Sequence, residues 1–167
     1  MNVRFKKLDD GGAALSCERA DGSTTWQRPK PSQGAFFALH DLTHLACESE
    51  LKGLKGFFSL IASGWDIADF ESASSSRDGL PDDAIIVEAL VGLLDTERAS
   101  QTHWSATEFN EHLKNYFASR SKESVYVVTD EQLQNIRRRR SSLFSIWRKL
   151  PVGESLETHF PESSGID

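Results

Sequence analysis

The sequence predicts an α+β fold in which a small N-terminal antiparallel β-meander packs on four or five helices. Strand signals are confined mainly to residues 1–30, and helical spacing of apolar residues dominates residues 36–150. The chain has 167 residues, of which 38% are hydrophobic and 26% are charged. This composition is typical of soluble globular proteins, and the length predicts one domain over residues 1–167.

The predicted meander rests on alternation of apolar and polar residues and on the turn signals Asp-Asp-Gly-Gly and Asp-Gly between the runs. The predicted strands cover residues 2–8, 14–20 and 24–28. Pro29 and Pro31 cannot donate to a strand ladder, so we expect the sheet to end there and residues 30–34 to form a connector. A C-terminal strand over residues 155–160 is expected to join the meander, within a strand or tail region over residues 151–167.

The predicted helices are defined by apolar periodicity and by start and stop signals. They cover residues 36–51, 54–62, 81–99, 106–117 and 129–150. Ser105 with Glu108, and Thr129 with Gln132, have the spacing of capping boxes. The serine-rich residues 71–83 are predicted to form a solvated loop, and residues 125–128 are a short run rich in β-branched side chains.

Charge and hydropathy narrow the classes of partner. The net charge is −6, and the acid excess lies in residues 57–100, which contain 9 acidic and 2 basic residues. The cluster Arg137 to Arg140 spreads around a helix, so we interpret it as an exposed face paired with acidic residues, and we expect no nucleic-acid partner. Apolar residues 84–94 are too few for the ~20 that cross a bilayer, so no membrane association is expected.

Cysteine usage and the N-terminus predict a cytoplasmic protein. Cys17 and Cys47 are the two cysteines, and the opening sequence MNVRFKKLDD has no apolar signal region. Free thiols are therefore expected. No glycine-rich phosphate loop or dinucleotide-binding pattern is present, so no nucleotide cofactor is predicted.

A cluster of metal-binding residue types lies on the first predicted helix. His40, His44 and Glu48 are spaced four residues apart, so their side chains lie on one face. Imidazole and carboxylate ligands suit a divalent ion such as zinc, nickel, iron or manganese. The pattern predicts a metal site in which these three residues are ligands, and a metal-bound water would be a nucleophile near neutral pH.

Asp41 is the candidate catalytic residue. The run His40-Asp41-Leu42-Thr43-His44 resembles the zinc-protease motif His-Glu-x-x-His, with Asp41 where the general-base glutamate stands. Aspartate is one methylene shorter than glutamate, so a role as ligand or as hydrogen-bond acceptor for a histidine stays open for Asp41.

Two further residues are candidate additional ligands. Cys47 follows His44 by three residues, although a free cysteine more often fills space in a core. Glu88 interrupts an apolar helix and can supply a ligand from a second helix. The preferred interpretation places Glu88 on a solvent-facing stripe with Gly92, Asp95, Thr96 and Ala99.

Two resemblances rest on the same helix. The pattern His-Asp-Leu-x-His-x-x-x-Glu, from His40 to Glu48, is similar to that of small uncharacterised bacterial proteins, which implies a bacterial origin but no activity. Residues 40–44 also resemble the His-Asp-x-x-His signature of the Coq4 family of ubiquinone biosynthesis. That motif continues with a glutamate twelve positions after its second histidine, where this chain has Gly56, and the family is helical.

Two functions remain open from the sequence. One is a metal-binding protein. If that protein is an enzyme, it is a metal-dependent hydrolase of a small-molecule or peptide-like substrate. The other is a non-catalytic ligand-binding or protein-interaction module without metal, in which helix faces support homo-oligomers. Metal binding predicts that the two imidazoles and one carboxylate converge, whereas the second interpretation predicts that the histidines diverge or pair with protein groups.

Overall fold

The computed structural model describes residues 1–51, 53–75, 79–120 and 126–161. Its elements confirm the α+β class and follow the predicted order of strands and helices. They are β1 (Asn2–Lys7), β2 (Ala13–Glu18), β3 (Thr24–Gln27), α1 (Pro31–Glu50), α2 (Phe57–Ala62), α3 (Ile67–Ser75), α4 (Asp82–Ser100), α5 (Ala106–Ala118), α6 (Asp130–Lys149) and β4 (Ser155–His159).

The four strands form one antiparallel sheet in the order β3-β2-β1-β4. Phe5 on the central strand β1 is paired with Leu15 on one side and Leu156 on the other, and all three are buried. Arg4 and Lys6, which alternate with the buried residues of β1, are exposed. The predicted meander and the predicted C-terminal strand are therefore confirmed, and one face of the sheet packs on the helices.

Helix α1 begins earlier than predicted and passes through the interior. It starts at Pro31, where the expected connector over residues 30–34 is wrong because a proline at the first helical positions leaves no hydrogen bond unmade. Every residue of the stretch 41–48 is buried. Leu42 packs in the core that the helices share with the sheet, and Leu51 just beyond the helix packs in the core with α4, α5 and α6.

The segment predicted as a serine-rich loop is helical in its first half. Helix α3 continues to Ser75, because Ile67 is buried in the sheet-side core and Phe70 packs against it. Such packing outweighs the weak helix propensity of serine. Residues 76–78 lie outside the described residues, and the neighbouring helix α2 begins at Phe57 rather than at residue 54.

The β-branched run at 125–128 forms no strand over its described part. Val125 lies outside the described residues, and residues 126–129 are irregular. The backbone N–H of Val128 donates to Asn110 Oδ1 at 2.9 Å, and Asn110 Nδ2 donates to the Val128 carbonyl at 2.8 Å. A side chain of α5 thus satisfies both backbone groups that a strand neighbour would otherwise pair.

The predicted capping boxes are present at the starts of α5 and α6. The Ser105 side chain accepts from the Glu108 N–H, and the Thr129 side chain accepts from the Gln132 N–H. At the other end of α6, Lys7 Nζ donates to the carbonyls of Trp147 at 2.9 Å and Leu150 at 2.8 Å. This lysine links β1 to the helix C-terminus, where a positive charge is favourable.

The arginine cluster of α6 is less exposed than the sequence predicts, although its predicted pairing with acidic residues is present between Arg137 and Glu97. Arg140 is only 6% exposed and its Nη1 donates to the Leu94 carbonyl at 2.6 Å. Arg137 donates to both carboxylate oxygens of Glu97, which is 1% exposed. Only Arg138 of this cluster is exposed. These contacts hold α6 against α4, and they supply the partners that buried charges need.

None of the helices in the described ranges has the length and apolar character needed to cross a membrane.

Arg137→Ala is expected to lower the free energy of unfolding by about 3 kcal/mol, because it leaves the buried Glu97 carboxylate without its charged partner. Urea denaturation measures the change. Arg138→Ala, one residue away and exposed, is the matched control and should change it by less than about 0.5 kcal/mol. Equal effects of the two substitutions would contradict the buried pair.

Candidate metal centre

Helix α1 and helix α4 bring two histidines and a glutamate together. His44 Nε2 lies 3.2 Å from Glu88 Oε1, and His40 Nε2 lies 4.0 Å from Glu88 Oε2. One ligand atom from each of the three side chains lies within 4.8 Å of the others. In a tetrahedral site with metal–ligand bonds of about 2.1 Å, ligand atoms lie about 3.4 Å apart. The group can therefore hold a metal ion once the longer of these separations shorten toward that value.

Each histidine is held on its other nitrogen by a carboxylate. His40 Nδ1 lies 2.9 Å from Asp95 Oδ2, and His44 Nδ1 lies 3.3 Å from Glu48 Oε1. An ionised carboxylate at Nδ1 accepts the ring N–H, so that in the neutral imidazole the lone pair is on Nε2. Both Nε2 atoms then face Glu88, which is the arrangement that metal-ligating histidines adopt with their supporting carboxylates.

Glu48, a ligand in the sequence prediction, lies outside the converging group. Its carboxylate accepts the backbone N–H of Phe58 at 3.2 Å and of Ser59 at 3.0 Å, in addition to its contact with His44. These N–H groups belong to the first turn of α2, whose N-cap residue Gly56 has no side chain to satisfy them. Glu48 therefore caps α2 from a different helix and at the same time orients His44.

Gly56 makes this capping contact sterically feasible. A Cβ at position 56 would lie 2.7 Å from the Glu48 carboxyl carbon and 2.7 Å from Val87 Cγ1. Cβ atoms essentially never approach other atoms so closely. At the position where the Coq4 motif has glutamate, this chain thus has the one residue that lets α2 approach both α1 and α4.

The solvent-facing stripe predicted on α4 is wrong for Asp95, whereas Gly92, Thr96 and Ala99 are exposed as predicted. Asp95 is only 8% exposed and accepts from His40, and Arg98 Nε donates to its other oxygen at 3.2 Å. The Glu88 side chain is 41% exposed but faces both histidines. Helical spacing places the two acids on one face, and the packing of α4 on α1 buries Asp95 while Glu88 lies between the histidines and solvent.

The charges of the site are strongly coupled. Burial favours the neutral imidazole of His44, but the charge of Glu88 and hydrogen bonds to Glu48 and Glu88 outweigh burial and raise the pKa of His44 to about 10. Burial likewise opposes ionisation of Glu88 and Asp95, but their contacts with the histidines keep both pKa values below the usual range. Metal binding would therefore displace a proton that His44 holds between two carboxylates.

Asp41 lies beside the site on the buried side of α1. Gln27 Nε2 from β3 donates to Asp41 Oδ2 at 3.3 Å. Burial raises the pKa of Asp41 to about 6, against the lowering effect of His44 and His40. The carboxyl group lines the same cavity as the three converging side chains, so it is available to a molecule bound there.

A cavity of about 480 Å³ opens next to the group, a size typical of sites for small molecules. Its lining residues come from β3, from α1 to α5 and from the segment before α4, and the lining side chain of Glu88 is 41% exposed. Its polar lining comes from Gln27, His40, Asp41, His44 and Glu88, and its apolar and aromatic lining comes from Phe37, Phe57, Phe70, Leu80, Ile85 and Tyr116.

Cys47 lies away from the converging group. It is fully buried in the core formed with α4, α5 and α6, and burial raises the pKa of its thiol above the usual range. Cys17 is also buried and free, and burial raises its pKa to about 12. Both thiols are therefore protonated apolar fillers in the structure rather than metal ligands or nucleophiles.

Comparisons with known protein families, with curated proteins and with solved structures found no match to this chain. Function is therefore inferred from the chemistry of the site alone.

Asp95→Asn is expected to weaken zinc binding about 10- to 100-fold, because the neutral amide no longer stabilises the Nδ1–H of His40 as a carboxylate does. A competition titration with a chromophoric chelator measures the affinity. Asp130→Asn, at the start of α6, is the control and should leave it unchanged. Unchanged affinity in Asp95→Asn would contradict the supporting role of Asp95.

Proposed function

We propose that this chain binds one divalent metal ion through His40 Nε2, His44 Nε2 and the Glu88 carboxylate, and uses it to hydrolyse a small or peptide-like substrate. The observation that carries the proposal is the convergence of these three groups while both Nδ1 atoms are held by carboxylates. Surface pairs of histidine and acid do not require such a second layer of contacts.

The charge of the site favours a bound ion over a purely hydrogen-bonded cluster. Four carboxylates, from Asp41, Glu48, Glu88 and Asp95, surround two imidazoles. The positive charge that the site acquires at His44 offsets only part of this negative charge. A divalent ion offsets more, and on binding it takes the place of the proton that His44 holds.

The donor set favours zinc. Two imidazoles and one carboxylate form the ligand set of many hydrolytic zinc sites, in which a water molecule occupies the fourth position. The same set with open positions also serves non-haem Fe(II), so iron, nickel and manganese belong in the same binding assay. The fourth position here would face the cavity, where a substrate can reach it.

Asp41 is the proposed general base. An ion held by His40, His44 and Glu88 would supply Lewis-acid activation of a water molecule, and the Asp41 carboxylate would take one proton from that water as its oxygen bonds to the carbonyl carbon of the substrate. The bond from that carbon to its leaving group then breaks, and the leaving group takes the proton from Asp41. Water is consumed, and the two products are an acid and an alcohol or amine. Gln27 positions Asp41 by its hydrogen bond.

His40→Ala, His44→Ala and Glu88→Ala are each expected to reduce bound metal from about one ion per chain to a small fraction. Three ligands are needed to hold the ion, and loss of one removes a large part of its affinity. Elemental analysis of tag-free protein after incubation with zinc, nickel, iron or manganese, followed by dialysis, measures the ratio.

His159→Ala is the matched control, because His159 is an exposed histidine on β4 and should leave the ratio unchanged. Circular dichroism verifies that each variant is folded. An unchanged ratio in the three ligand variants, or no metal in the parent protein, would contradict the metal centre and favour the non-catalytic binding module.

Asp41→Asn is expected to lower the zinc-dependent kcat for p-nitrophenyl acetate about 10²-fold, because it removes the proton acceptor, while the zinc content stays the same. The absorbance of released p-nitrophenol, followed over time, measures the rate. Asp9→Asn, in the exposed turn between β1 and β2, is the control. A zinc-dependent kcat that is the same in Asp41→Asn and in the parent would show that Asp41 is not the base.

A further inference from the structure

We propose that the cavity beside the metal centre selects an uncharged substrate with an aromatic or branched apolar group next to the hydrolysed bond, and disfavours anionic substrates. This assignment rests on the proposed metal-dependent hydrolysis and adds to it the chemical class of the substrate. It follows from two features of the cavity wall, its row of aromatic rings and its charge.

The aromatic row begins at a proposed metal ligand. The ring centroid of Phe57 lies 5.7 Å from that of His44 and 4.7 Å from that of Phe70, and Trp65 lies 5.3 Å beyond Phe70. Phe57 and Phe70 both line the cavity. A planar part of a substrate that extends from the metal on this side would therefore contact aromatic faces and edges. Such contacts contribute more binding free energy than the buried area alone.

The cavity lining is also apolar close to the carboxylate ligand. Ile85 lies three residues before Glu88 on α4, so its side chain lies one turn from the ligand, and both line the cavity with Leu80. The cavity thus combines the polar groups of the metal centre with apolar and aromatic side chains, which suits a substrate with one polar, reacting end and one apolar end.

The charge of the cavity disfavours an anion. A divalent ion at the site would still be surrounded by the carboxylates of Asp41, Glu48, Glu88 and Asp95. No lysine or arginine is among the lining residues in the part of the chain that the structure describes. The guanidiniums of Arg98 and Arg120 have other contacts, since Arg98 pairs with Asp95 and Arg120 stacks 3.7 Å over the Tyr116 ring. A carboxylate or phosphate away from the metal would therefore lie in a negative field without a cationic partner.

Three hydroxamic acids test this assignment on the zinc-loaded full chain, because all three bind zinc through the same two oxygens. They are acetohydroxamic acid, benzohydroxamic acid and 4-carboxybenzohydroxamic acid. Isothermal titration calorimetry gives their Kd values. Benzohydroxamic acid should bind about tenfold or more tightly than acetohydroxamic acid, as expected for burial of a phenyl ring. The 4-carboxy compound should lose most of that gain.

Two variants assign the effects to the cavity wall. Phe70→Ala should reduce the advantage of benzohydroxamic acid and leave the Kd of acetohydroxamic acid within about twofold. Ile85→Lys, which places a cation in the cavity lining, should make the 4-carboxy compound bind more tightly than it binds to the parent. The ligand series on the parent protein requires neither variant.

The outcomes separate the two proposals. If zinc is bound but acetohydroxamic acid and benzohydroxamic acid have equal affinities, the proposed substrate class is overturned and the metal centre is not. Tightest binding of the 4-carboxy compound to the parent protein overturns it in the same way. Absence of bound zinc overturns the metal centre and with it the substrate class. The predicted order of affinities with bound zinc supports both.

Discussion

The buried carboxylate of Glu48 is the constraint on which the arrangement of the site depends. Its side chain has no exposure, so its charge must be satisfied by protein groups. Two N–H groups of α2 and the Nδ1 of His44 do so, which fixes α2 against α1 and fixes the rotation of the His44 ring. Gly56 allows the close approach. Loss of this carboxylate would therefore disturb the fold and the metal ligand together.

Other buried polar side chains of α1 and α4 are also paired with protein groups. Asp95 is buried and accepts from His40 and Arg98, so the second histidine is oriented by a carboxylate from the facing helix. A helix that carries a polar face into the interior needs partners for each group. Helix α4 supplies them on one side, and β3 supplies Gln27 for Asp41 on the other. The half-exposed Glu88 remains as the group through which the cluster meets the cavity.

Local signals in the sequence predict much of this structure. Apolar periodicity, capping boxes and alternation predict the helices, the meander and the C-terminal strand, although not the start of α1 at Pro31, and the spacing of His40 and His44 predicts the paired imidazoles. The partners on α4 are not predictable in this way, because a helical stripe that includes Glu88 and Asp95 looks solvent-facing until the neighbouring helix is known. The burial of Arg140 is not predictable for the same reason, because its hydrogen-bond acceptor is a backbone carbonyl of α4.

A crystal structure of the zinc-soaked protein with anomalous data at the zinc edge tests the metal centre most directly. The account predicts one strong anomalous peak about 2.0–2.2 Å from His40 Nε2, His44 Nε2 and a Glu88 oxygen, with Asp95 and Glu48 still on the Nδ1 atoms. A zinc ion ligated elsewhere, or imidazoles that remain bonded only to carboxylates in the presence of saturating zinc, would contradict it.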